Sequence, residues 1–117
     1  MKKLIKILIL VVFSISMTSC YYDQIEEVEI PDGTAVSFAD DITPIFTDYN
    51  CTECHGPSRN PDLSPGNEYS SLVPEYVSAG NADNSELFNT LNGGHANVSS
   101  ADLALIEAWI NNGALNN

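Results

Sequence analysis

Two thiols and an imidazole carry the first recognisable chemistry in this 117-residue sequence: Cys51 and Cys54, separated by Thr52-Glu53, with His55 directly after them. Two thiols at this spacing on a short helical turn can each add to one vinyl group of the same porphyrin. The next residue then places its imidazole beneath the iron, and C-x-x-C-H is the attachment signature of covalent c-type haem. Other chemistries share some of these residues. A thioredoxin-like dithiol is also C-x-x-C, but it expects a preceding strand and a βαβ setting, whereas the segment before Cys51 reads as helix. A structural zinc site needs four ligands; Cys51, Cys54, His55 and His95 could supply them, although their spacing fits no common finger or ribbon. A disulfide between Cys51 and Cys54 would close a very small ring and stabilise little through loop entropy.

The elements that must position these residues are short. Phe38, Ile42, Ile45, Phe46 and Tyr49 recur at intervals of three and four, a helical face, and Pro44 within it predicts a regular helix starting near Thr43, with Thr43 as cap and Pro44 in the first turn. That helix is expected to run directly into the Cys pair. Gly56 to Gly66, rich in Pro, Gly, Ser and Asn, is loop. A short helix is expected over Glu68 to Val73. Another is expected over Ser85 to Leu91, with Leu87, Phe88 and Leu91 on one face and Gly93 beyond its end. The clearest helix begins after Ser99, where Ser99 and Asp102 resemble a capping box. Leu103, Ile106 and Ile110 form its apolar stripe, with Leu105 and Trp109 beside it, and Gly113 is its stop. No stretch alternates with period two over strand length. The expected fold is all-α, several short helices whose long loops become reasonable when they wrap one large flat cofactor.

The N-terminus reads as a targeting segment. Lys2, Lys3 and Lys6 precede an apolar run from Ile7 to Phe13, followed by small and polar residues, the parts of a secretory signal. The run is shorter than the ~20 apolar residues of a membrane span. Met17-Thr18-Ser19-Cys20 resembles a bacterial lipobox, with Met where Leu is usual, so residues 1–19 are expected to be removed and Cys20 lipidated; more than one acyl chain makes such anchoring stable. Residues 20–35 then form an acidic tether, and residues 36–117 the folded domain. This domain is near the ~80-residue size below which a core alone is marginal and a staple is usual. Loss of the leader leaves Arg59 as the one Lys or Arg against 16 acidic residues. That balance argues against nucleic-acid binding and favours partners with basic docking surfaces.

Further motifs carry a family resemblance. Asp41-Ile42-Thr43-Pro44-Ile45-Phe46, then Cys51-x-x-Cys54-His55-Gly56, Tyr69-x-x-Leu72-Val73 and the ending Trp109-Ile110-x-x-Gly113-Ala114-x-Asn116-Asn117 resemble the Planctomycete-type cytochrome c domain. The match covers roughly residues 36–117. It implies a class I, cytochrome c-like fold with the first and last helices crossing next to one covalent haem c, His55 as proximal ligand, and a role in electron transfer. Cytochromes of this kind often use Met as second axial ligand, but Met1 and Met17, the chain's two methionines, both lie in the leader. His95, within Asn92-Gly93-Gly94-His95-Ala96-Asn97 and 40 residues after His55, is the remaining candidate, and replacing Met by His lowers the potential. The alternative is a surface His95 with water or nothing at the sixth position. Arg59 is a candidate partner for a haem propionate or a solvated surface residue. Trp109 is expected as a core aromatic against the haem edge; Tyr49 and Tyr76 are expected as packing residues.

Three functions compete. The first is a monohaem electron carrier, not an enzyme. It is tied to the membrane through its lipid anchor only, and it lies outside the cytoplasm as a periplasmic or cell-surface, outer-membrane lipoprotein. Tyr21 after Cys20 gives no sign of inner-membrane retention, and the acidic run Asp23 to Glu27 looks like the surface-export signal of some lipoproteins. The second is a haem peroxidase or gas-binding protein with an open sixth position, and the third a zinc module. No Ser-His-Asp set, phosphate loop or paired-carboxylate motif supports hydrolytic or transfer chemistry.

Overall fold

Pro44 shapes the first helical segment. Having no N–H, it cannot bond to the carbonyl of Asp40, and its ring would crowd that carbonyl. In a computed structural model of the chain, which describes residues 1–4, 6, 30, 31 and 34–117, the path before it widens into a π-helical turn, Phe38–Ile42, and then tightens into helix α1, Thr43–Asp48. The regular helix thus starts at the expected Thr43, but a π-helical turn precedes it, and that turn's cap is Ser37, whose Oγ accepts the Asp40 N–H. Thr43 instead donates its hydroxyl to the Phe38 carbonyl. Nor does α1 run into the Cys pair. Asn50, in the left-handed region at φ 53°, interrupts it, a conformation Asn tolerates better than most residues. A separate 3₁₀ turn, Cys51–Glu53, follows.

The remaining helices are α2 (Glu68–Leu72), α3 (Glu86–Asn92) and α4 (Ser100–Asn111), with a 3₁₀ turn at His95–Asn97 between α3 and α4. Each expected helix is present within a residue or two of its expected ends, and the described residues contain no strand, so the fold is all-α. None of the described helices is long and apolar enough to cross a membrane. The apolar leader, Cys20 and the acidic part of the tether fall outside the described residues.

Helix α4 organises the core. Ile106, Trp109 and Ile110 are almost wholly buried, each contributing about 1.5–3 kcal/mol of burial free energy. The helix packs against α3 and against the π-helical turn, where Ile42 and Phe38 meet it, and Leu72, Val77 and Phe88 complete the interior. The expected stripe shifts toward the C-terminal half: Leu103 and Leu105 are only half-buried. The C-terminal half of α4 is also tied down by the loop before α3, through Gly80 N–H to the Ile110 carbonyl (2.7 Å) and Ala82 N–H to Asn111 Oδ1 (2.9 Å). Ser85 does not cap α3 through its side chain; fully buried, it accepts the Ser78 N–H and donates to the Asn81 carbonyl, pinning that same loop.

The tail beyond α4 returns to the start of the fold. Gly113, at φ 103°, turns the chain out of the helix, the conformation glycine adopts without steric cost. Ala114 is buried and its carbonyl accepts the Tyr69 hydroxyl at 2.8 Å. Asn117 then accepts the Phe38 N–H through Oδ1 and the Ala39 N–H through its carbonyl, both at 3.0 Å. The open N–H groups at the head of the π-helical turn, which a helix start would otherwise leave unpaired, are thereby satisfied.

Candidate functional site

The Cys51 carbonyl accepts both the Cys54 N–H (3.2 Å) and the His55 N–H (2.8 Å), so the two cysteines and the histidine occupy one tight turn. Residues at i, i+3 and i+4 on such a turn share a face. On its other side the His55 carbonyl accepts the Leu63 N–H at 2.8 Å, and Leu63 is buried, so the 56–63 loop closes back on the histidine and fixes its backbone from both directions.

Both thiols are free, Cys51 half-buried and Cys54 exposed. Burial pushes the Cys51 thiol above its ordinary pKa, a backbone hydrogen bond opposes that shift, and the neighbouring Cys54 adds to it. The His55 ring is half-buried, and its Nδ1 is enclosed with no hydrogen-bond partner among the described residues. Leaving a buried polar atom unpaired costs about 1–3 kcal/mol. Such atoms recur where an ion or other group completes the site, and this one marks the His55 pocket as incomplete on protein contacts alone.

The structure brings His95 to this turn. Its imidazole is the aromatic neighbour of His55, with ring centroids 6.1 Å apart and planes inclined at 75°. Local backbone makes this approach possible. At Gly93 a Cβ would stand 3.1 Å from the Asn89 carbonyl at the end of α3, and Gly94 has φ 98°, so two glycines let the chain turn at once from α3 into the His95–Asn97 turn. Ala96 and Asn97 follow at φ 62° and 51°, and His95 itself is exposed.

Among the described residues no three His, Cys, Asp or Glu side chains gather around a point that could hold a metal ion, so Cys51, Cys54, His55 and His95 do not form the four-ligand cage that a structural zinc would require. Arg59 is exposed. Trp109 packs against Phe38 (5.1 Å) and Tyr69 (6.5 Å) and donates its indole N–H to the Leu115 carbonyl. Its ring neighbours are therefore core aromatics, and its polar edge holds the C-terminal tail.

Sequence reasoning missed the part played by Tyr49. Its hydroxyl accepts the Ser99 N–H (2.9 Å) and donates to Asp102 Oδ2 (2.8 Å), joining the residue two before Cys51 to the residue four after His95. Nothing in the local pattern around Tyr49 names a partner 50 residues away; the only hint was that Ser99 and Asp102 already formed a cap, a cluster of polar groups for a half-buried tyrosine to find.

Comparison of the chain with protein-family models, with characterised proteins and with solved structures finds no match.

Proposed function

We propose that the protein is a monohaem c-type cytochrome: Cys51 and Cys54 hold the porphyrin, His55 and His95 supply the two axial imidazoles, and the chain carries single electrons. The observation that carries this reading is the His55–His95 pair. Metal–imidazole bonds are ~2 Å long, and the observed 6.1 Å between ring centroids would leave room for one ion held by both rings. The unpartnered His55 Nδ1 and the single turn that groups the thiols with His55 also fit this group.

When bound, haem supplies a reversible one-electron change at iron. The chain's own residues provide the covalent hold, the axial nitrogens and a mostly exposed rim, Thr52 to Cys54 and Asn92 to Asn97, through which a partner could approach. Two imidazoles in place of His and Met favour a low potential. The acidic surface favours a partner with a basic docking face, and Cys20 would anchor the chain to a membrane outside the cytoplasm. The exposure of His95 favours a second reading, in which that ligand yields to a small gas or peroxide.

Attachment is tested on protein produced in cells with active cytochrome c maturation, by haem staining after denaturing electrophoresis. Stain that persists in the native sequence and disappears in a Cys51→Ala/Cys54→Ala double variant is expected; a native chain without stain would overturn the reading.

A further inference from the structure

Among the described residues, the chain from Asn92 to Asn97 makes hydrogen bonds only within itself and back to the end of α3, namely Gly93 to Asn89, Gly94 to Leu91 and Asn97 to Gly94. All six of these residues are exposed. Gly94, Ala96 and Asn97 occupy the left-handed region, which costs of order 1 kcal/mol for each of the two non-glycine residues. Nothing in the turn itself therefore holds His95 toward His55. The first bond downstream that ties this stretch to the segment bearing the cysteines is Ser99 N–H to the Tyr49 hydroxyl, closed by the hydroxyl's own donation to Asp102. Ser99 Oγ also donates to Asp102 Oδ2 at 2.7 Å, so the carboxylate, both hydroxyls and the backbone N–H form one network at the head of α4. Tyr49 is held in turn by α1, whose Ile45 and Phe46 are buried.

We propose that the Tyr49 hydroxyl is the latch that positions His95 as the second axial ligand. Tyr49 is a positioning residue: it touches neither histidine's partner group and acts by fixing the distance between the Cys51–His55 turn and the loop that carries His95. The proposal rests on the cytochrome reading above and extends it. Without the hydroxyl, the strained turn relaxes away from His55 and the sixth position opens to exogenous ligands.

The test compares Tyr49→Phe with Tyr69→Phe in the purified haem-bearing protein. Tyr69 donates an equivalent half-buried hydroxyl bond, 2.8 Å to the Ala114 carbonyl, at the C-terminal tail instead of the His95 loop, and so controls for general loosening. The readouts are the ferric spin state and the fraction of ferrous protein that binds carbon monoxide on rapid mixing. Tyr49→Phe is expected to raise that fraction about tenfold, the effect of losing one to two net hydrogen bonds, and to add a high-spin component; Tyr69→Phe is expected to change neither. Asp102→Asn, which keeps an acceptor for Tyr49, is expected to behave like the native protein, and Asp102→Ala, which leaves Tyr49 only the Ser99 N–H, to shift in the same direction as Tyr49→Phe but less, which keeps the test open if Tyr49→Phe fails to fold. Unchanged carbon monoxide binding in both Tyr49→Phe and Asp102→Ala, or an equal increase in Tyr69→Phe, would overturn the latch while leaving the cytochrome reading standing. A native protein without haem would overturn that reading and the latch with it.

Discussion

The His55 and His95 rings lie 6.1 Å apart, centroid to centroid, although 40 residues separate them in sequence. The two are held differently. His55 belongs to a turn closed by the Cys51 carbonyl and locked by Leu63; His95 rides on an exposed turn reached through Gly93 and Gly94. A rigidly held imidazole on one side and a more lightly held one on the other determine what each substitution below changes.

His95→Ala is expected to keep the covalent haem, because the thiols and His55 are untouched, and to lose the six-coordinate spectrum in favour of a high-spin one. His95→Met replaces an imidazole by a thioether and raises the midpoint potential, which spectroelectrochemistry measures directly. If His95→Ala were spectrally identical to the native protein, His95 would be a surface residue.

Asn117→Ala removes the acceptor of the Phe38 N–H and is expected to cost about 1 kcal/mol, the usual price of a lost N-terminal cap. Ser37→Ala, at the same helix start, is expected to cost a similar amount. Both effects are read from denaturant unfolding, and neither variant is expected to alter the iron spectrum, since the bonds lost join the C-terminal tail and Ser37 to the π-helical turn and involve neither histidine.

Gly94→Ala forces a Cβ into φ 98° and is expected to destabilise by about 1 kcal/mol, whereas Ala96→Gly, at φ 62°, removes the left-handed penalty and is expected to be neutral or slightly stabilising. Thermal unfolding of the two variants side by side checks the opposite signs. Equal destabilisation would mean that the turn has a different backbone conformation in solution.

Asp62 lies in the loop that returns to His55. Hydrogen bonds from Ser64, with a further one from Asn67, hold its carboxyl below the ordinary carboxylate value. A depressed folded-state value means that the stabilisation is present above the unfolded value of about 3.9 and is lost as pH falls through the lower folded value. Carboxyl carbon NMR is expected to show Asp62 titrating below about 3.9, and Asp62→Asn is expected to flatten the acid limb of the stability profile. A midpoint at or above that value would contradict these loop contacts.

Much of this architecture could be read from local pattern. The C-x-x-C-H spacing, the cap at Ser99 and the stop at Gly113 depend on neighbours a few residues apart, and composition alone left His95 as the candidate partner of His55. The missed features are long-range or steric. Pro44 correctly marks a boundary, but the widened turn before it depends on a cap at Ser37 and on Asn117, which arrives from the other end of the chain. Leu103 fits the stripe by periodicity, yet α4 buries its C-terminal half because the 80–82 loop and the π-helical turn cover that half. Trp109 is legible as a core aromatic, but its neighbours Phe38, Tyr69 and the Leu115 carbonyl are not.

The most direct test of the cytochrome reading is an optical spectrum of the purified mature protein, oxidised and reduced, with a pyridine haemochrome assay. One covalent c-type haem per chain is predicted, with sharp six-coordinate reduced bands and no methionine–iron charge-transfer band. A colourless protein from cells that mature other c-type cytochromes would contradict it.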